Sequence, residues 1–265
     1  MTTMHRALRD STTMLRRDIT HSLRFPMMTI SGLAVPIVLL LIFDGVFGNT
    51  LRAGLGAAGR GGGSYIDYLT PGILLMTAVS AAQMTALNVN ADMTEGIITR
   101  FRTMSISRTS VLTGQVLGSF IRTMMSGALV LAVAVALGFR PSAGAGAWLA
   151  TAGLFALLTL ALTWLTVAFG LFAKTPAGAN SLSLILVVLP LVSSAYVPTG
   201  SMPAGVRWFA QNQPLTPIIQ TLRGLLTGTP IGHDAVLAVV WCLVIAAGGY
   251  AWARTSYDGS PAVAQ

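Results

Sequence analysis

Few side chains in this sequence could carry out chemistry, and their spacing builds no catalytic site. The acids are Asp10, Asp18, Asp44, Asp67, Asp92, Glu95, Asp234 and Asp258; the histidines are His5, His21 and His233; Lys174 is the one lysine and Cys242 the one cysteine. The histidines are scattered and make no metal-ligand spacing, and no GxSxG motif places a serine on a nucleophile elbow. The expectation is therefore no catalytic residue and no metal ligand. Lys174 is followed by Thr175, the last two letters of a phosphate-binding loop. Such a loop needs GxxxxGK[ST], because backbone amides of the glycine-rich turn cradle the phosphates. Positions 168 and 173 are both alanine here, so the chain does not bind ATP by that route. Cys242 stands alone inside an apolar run, which rules out an intrachain disulfide.

A proton-coupled carrier keeps a carboxylate within the bilayer, where a proton can be held and released. The centres of the apolar runs contain no Asp or Glu, and Asp44, about four residues from the end of its run, comes nearest. It is a candidate for a substrate or gating role. Gln83, Thr85, Asn88 and Asn90 lie in the next run and carry no proton. Side chains of this kind either join helices by hydrogen bonds or line a substrate pathway.

The elements that hold these residues follow from composition. Of 265 residues, 54% are hydrophobic and only 9% charged, with a mean hydropathy of +0.73. A soluble domain carries about 25% charged residues, so this chain reads as an all-α integral membrane protein. A span needs about 20 apolar residues, and six runs qualify: 26–47, 68–91, 123–139, 148–173, 178–197 and 235–253. The third helix is expected to begin earlier, near Ser107 or Arg108. Residues 1–25 carry Arg6, Arg9, Arg16, Arg17 and Arg24 mostly away from a face of Met4, Leu8, Leu15, Ile19 and Leu23. That pattern suits a helix lying in the membrane interface. No continuous apolar core precedes Pro26, so the first run reads as a retained anchor and not a cleaved signal.

The net charge of +8 does not point to nucleic acid, because the cations sit beside apolar runs and form no basic face interleaved with aromatics. With the N-terminus inside, the inner segments hold eleven cations (the five tail arginines, Arg100, Arg102, Arg108, Arg122, Lys174 and Arg254). The outer segments hold five: Arg52, Arg60, Arg140, Arg207 and Arg223. This bias places both termini in the cytoplasm. The organisation expected is an interfacial helix at 1–25, a six-helix membrane domain at 26–253 and a cytoplasmic tail at 254–265.

Two segments stand out between the spans. In Asp92–Gly118, the residues Ile97, Phe101 and Met104 recur at helical spacing, with Glu95 and Arg102 on the opposite side. A short amphipathic helix of this kind rests on lipid or docks in a groove of a partner. In Val197–Gly228, one short helix is expected around Pro203–Ala210, with Trp208 and Phe209 at the membrane interface. A second is expected from Thr216 as N-cap and Pro217 as first helical residue to Gly228. Partly entering the outer leaflet, the pair would cover the outer end of a pathway.

These two segments, together with PIVLLLIFDGVFG (Pro36–Gly48) and YLTPGIL (Tyr68–Leu74), resemble the type-2 ABC exporter permeases, in particular their daunorubicin-resistance-like multidrug branch. Pro217 stands where the family pattern has histidine, serine, arginine or tyrosine, and Arg223 matches its terminal basic residue. The resemblance implies a permease without bound cofactor, paired with two cytosolic ATP-binding subunits that use ATP and Mg, and with a second permease copy or paralogue. It implies a coupling helix at 92–104, with Asp92, Glu95, Gly96, Arg100, Phe101 and Arg102 as contacts to the ATPase. It also implies outer re-entrant helices before the last span, with Trp208, Phe209, Pro214, Pro217 and Arg223 as the outer gate. The substrate pathway (Asp44, Gln83, Thr85 and Asn88 as candidates) would run at the permease interface and take amphipathic small molecules. The expected location is the bacterial inner membrane, among its lipids. An ion-coupled transporter working as a single chain is the second reading, and a membrane scaffold or intramembrane enzyme the third.

Overall fold

In a lipid environment a backbone has to satisfy its own hydrogen bonds, and this chain does so with helices. The computed structural model describes residues 26–45, 65–94, 108–197 and 199–259, and these contain helices and turns with no strand. The interfacial helix expected at 1–25, the glycine-containing segment 46–64 between the first two runs, residues 95–104 of the coupling helix and the end of the tail lie outside the described residues.

The helices in order are α1 (Pro26–Gly45), α2 (Tyr65–Thr94), α3 (Arg108–Ala136), α4 (Ala145–Phe172), α5 (Pro176–Val188), α6 (Ala204–Asn212), α7 (Leu215–Thr227) and α8 (Asp234–Gly259). Among the described residues, four stretches are long and apolar enough to cross a membrane: Tyr65–Thr94, Thr113–Ala136, Ala145–Phe172 and Asp234–Ser256. At 1.5 Å per residue each exceeds the hydrocarbon thickness of about 30 Å. Two shorter apolar helices occur at Ala34–Phe43 and Pro176–Val192.

Helix α2 is the hub, in contact with α1, α3, α4, α5 and α7. Helix α4 packs along α2 on one side and α8 on the other. The most apolar windows of α2 and α4 are 67% and 72% buried, against 17% for α8, which leaves α8 at the rim with Val236, Leu243 and Val244 facing outward. Several buried hydroxyls are satisfied within their own helix. Thr70, Thr77, Thr159, Thr163 and Ser183 each donate to the carbonyl four residues earlier at 2.7–2.8 Å. Such bonds let small polar residues sit in an apolar helix bundle.

The helix ends show local logic. Thr175 caps α5, its Oγ1 accepting from Gly178 N at 3.1 Å, and Pro176 opens the helix. Pro190 then falls in a 3₁₀ turn, Leu189–Val192. The fifth apolar run is therefore not one helix to Val197: proline has no N–H for the ladder, and the chain turns at 193–196. Gly228 ends α7 in the left-handed conformation (φ 71°), as expected. Helix α7 starts at Leu215, one residue before the expected N-cap, so Thr216 lies inside it and donates to the Ala210 carbonyl.

The α4–α8 crossing depends on a glycine. A Cβ at Gly249 would stand 2.6 Å from Leu165 N and 2.9 Å from Leu165 Cα, while one at Gly248 would meet nothing within 4 Å. Backbone cannot yield as a flexible side chain can. Gly249→Val is expected to destabilise the protein by about 1–3 kcal/mol, the usual range for overpacking. The readout is a lower thermal midpoint in detergent, with Gly248→Ala unchanged or slightly higher. Equal midpoints for the two variants would contradict this packing.

Candidate functional site

Most of the described side-chain hydrogen bonds between segments distant in sequence gather at the two ends of α2. At its beginning, Tyr65 and Tyr68 lie one helical turn apart and reach the turn that follows α5. Tyr68 Oη donates to the Ser194 carbonyl at 3.0 Å and Tyr65 Oη to the Tyr196 carbonyl at 3.3 Å. Phe43 of α1 stacks on Tyr196 with ring centroids 5.1 Å apart. From α6–α7, Gln213 donates to the Val192 carbonyl at 2.9 Å.

Arg223 closes this cluster. Its guanidinium carbon lies 3.7 Å from the Tyr68 ring centroid. Nη2 donates to the carbonyls of Ser194 (2.8 Å) and Tyr68 (3.2 Å), and Nη1 donates to Gln220 Oε1 (2.9 Å). Arginine stays charged in proteins, and a planar guanidinium can stack on a ring while its N–H groups fork to oxygens in its own plane. Arg223 therefore joins three segments distant in sequence: α2, the 193–196 turn and α7. Arg223, expected in the outer gate as the match to the family's terminal basic residue, is covered by the Tyr68 ring in the structure.

The other residues read as an outer gate divide into two groups. Pro217 is buried in the first turn of α7, where a missing N–H leaves no bond unmade. Pro214 is half-buried just before that turn. Trp208 (68% exposed) and Phe209 (43%) point outward from α6. Phe209 borders an apolar groove of about 430 Å³ whose other walls are Ser181, Leu184, Ile185, Val188 and Val192.

At the C-terminal end of α2, the polar residues pair with three neighbours. Gln115 of α3 donates to Asp92 Oδ2. Thr85 Oγ1 and Ser119 Oγ share a hydrogen bond of 2.6 Å. Asn90 donates to the carbonyls of Gly170 in α4 (3.1 Å) and of its C-cap residue Ala173 (2.6 Å). Gln83 donates to Asn180 of α5 at 2.8 Å, and Asn88 is exposed. Of the pathway candidates, Thr85 thus faces α3 and Gln83 faces α5, and the side chain of Asp44 is outside the description. Asp92 belongs to the last turn of α2, while Glu95, Gly96, Arg100, Phe101 and Arg102 lie outside the described residues. Among the described residues no three His, Cys, Asp or Glu side chains converge as a metal site. The reading from sequence missed Tyr65, Ser119, Ser194 and Tyr196; the Tyr65–Tyr68 spacing of one turn at a helix start was the signal available.

Helices of this length and apolarity, with polar groups turned toward one another, define a multi-pass membrane protein. Residues 10–227 match the family model described as ABC-2 type transporter, and the chain belongs to that family. It is similar to the daunorubicin resistance ABC transporter permease protein DrrB1 of Streptomyces coeruleorubidus, 27% identical over 77% of this chain and 70% of that one. It is 24% identical, over 90% of this chain and 87% of the other, to the probable doxorubicin resistance ABC transporter permease protein DrrC of Mycobacterium tuberculosis. A putative transport permease, ycf38, of Porphyra purpurea is 26% identical over 82% of this chain and 74% of that one.

Arg223→Ala is expected to cost about 2 kcal/mol, the usual scale for hydrogen bonds to a charged group. Arg223→Lys should recover little of this, because an ammonium cannot stack on Tyr68 and fork to both carbonyls at once. The check is the thermal midpoint in detergent; full recovery by lysine would show that charge alone matters at this position.

Proposed function

We propose that this chain is the membrane permease subunit of an ATP-driven exporter of amphipathic small molecules such as drugs, antibiotics or lipid-like compounds. The observation that carries the proposal is the ABC-2 family match over residues 10–227, with relatives whose names describe drug-resistance permeases. ATP and Mg are bound by two separate cytosolic subunits, and a second permease copy or paralogue completes the complex.

In this reading the membrane domain has six spans. The four long helices supply four; α1, a 20-residue helix, and α5 with its 3₁₀ extension to Val192 supply the other two. Residues 1–25 lie along the inner surface, both termini are cytoplasmic, and the membrane is a bacterial inner membrane. Helices α6 and α7 are the short outer helices that enter the outer leaflet before the last span. The groove beside Phe209 offers an apolar wall of the kind that accepts the ring or chain of an amphipath.

Residues 92–104, which begin in the last turn of α2, dock in a groove of the ATPase. Closure of the ATPase pair displaces that segment and switches the permeases from inward to outward access, a rigid-body transition. Glu95 is the contact to test. In a complex assembled with its ATP-binding subunits, Glu95→Ala should insert in the membrane normally. Its substrate-stimulated ATP hydrolysis should fall about fivefold or more, the lower end of coupling strengths. Normal insertion with undiminished stimulation would remove Glu95 from the docking surface.

A further inference from the structure

Helix α2 is gripped on two sides at its C-terminal end. Toward α3 there are two ties at different depths, Gln115 to Asp92 and Thr85 to Ser119. Thr85 and Ser119 are buried, at 3% and 2% exposure, in a helix contact where lipid offers no alternative partner. Toward α4, the fully buried Asn90 holds the Gly170 carbonyl in the last α4 turn and the carbonyl of the C-cap residue Ala173. The approach is close: a Cβ at Gly170 would stand 2.6 Å from the Ala86 carbonyl oxygen.

We infer that Gln115 and Ser119 are positioning residues for coupling, clamping α3 to α2 so that the two helices move as one lever. The inference rests on the proposed function in taking residues 92–104 as the docking segment. That segment begins in the last turn of α2 and leads to the start of α3, so a displacement there enters both helices together. A single tie would act as a pivot and let the helices rotate against each other. Two ties at separate depths fix both the distance and the relative rotation, and Asn90 carries the same displacement into α4. Packed helix pairs have discrete arrangements and do not deform continuously, which is what a lever requires.

The test uses the full chain reconstituted with its ATP-binding subunits. Spin labels are placed at Met84 of α2 and Leu117 of α3, exposed by 46% and 37%, in a Cys242→Ala background. Labelled permease is diluted so that each complex carries one labelled copy. The Met84–Leu117 separation is read without nucleotide and again with ATP and vanadate. The clamp predicts equal separations in the two states, and a state-dependent shift or broadening when Gln115→Leu and Ser119→Ala are combined. A change above about 2 Å without those substitutions, the size of helix shifts at moving interfaces, would overturn it.

Because the combined variant could fold poorly, Thr85→Cys with Ser119→Cys supplies a second measurement. The disulfide between them should leave the rate of ATP hydrolysis within about twofold of the reduced protein, a negligible change in barrier. Hydrolysis lost on oxidation and restored by reduction would show that α2 and α3 must separate, and the clamp would be wrong. Failure of any ATP-binding subunit to assemble with the chain would sink the proposed function and the clamp together. A working complex that splays α2 from α3 would overturn the clamp alone.

Discussion

A polar group inside a bilayer has no water to turn to, and this constraint organises the whole molecule. The backbone meets it by remaining helical. Small hydroxyl side chains meet it by bonding to their own helix, as Thr77 does to the Ile73 carbonyl. Larger groups have to find partners on other helices, and those partnerships then decide which helices stay together. Arg223 is the strongest example: its cation sits on Tyr68 and its N–H groups go to two backbone carbonyls and Gln220, uniting α2, α7 and the turn after α5. Asn90, Thr85 and Gln115 do the same at the opposite end of α2. Helix α2 is the hub because it carries paired polar groups at both ends with a continuously buried stretch, Leu69 to Val79, between them.

How much of this could be read beforehand follows from the range of each interaction. Apolar runs are local, so α2, α3, α4 and α8 are visible from composition, and Gly228 announces the end of α7. The fifth run misleads because hydropathy is blind to hydrogen bonding: Leu189, Leu191 and Val192 are apolar enough for a span, yet Pro190 turns the chain there. Thr216–Pro217 reads as a cap and first residue, although proline is tolerated anywhere in the first turn, and the helix uses it two residues in. The arginine–tyrosine cluster was not legible, since Tyr68 and Arg223 are 155 residues apart and no periodicity links them. The polar residues of the second run could be read only as helix joints or pathway lining. For Thr85 and Asn90 the structure supplies partners on α3 and α4.

Membership of the ABC-2 family gives these mechanical features a purpose. A chain without a nucleotide-binding loop can still perform active transport if it receives motion from another subunit. It then needs a place to receive the motion, a rigid path through the membrane and an outer end that holds its shape. The cross-helix hydrogen bonds at the C-terminal end of α2 and the arginine–tyrosine cluster at its N-terminal end supply stiffness where such a device requires it. The apolar faces of α5 and α1, with Ile185 at 59% and Val35 at 53% exposure, remain for lipid, substrate or a second permease.

The central claim is that this chain works as a permease driven by separate ATP-binding subunits. It is tested most directly by extracting the protein gently from its native membrane, purifying it and determining the mass of the complex. The account predicts a particle containing two permeases and two ATP-binding subunits in equal stoichiometry. A chain that purifies alone under those conditions, and still transports, would contradict it.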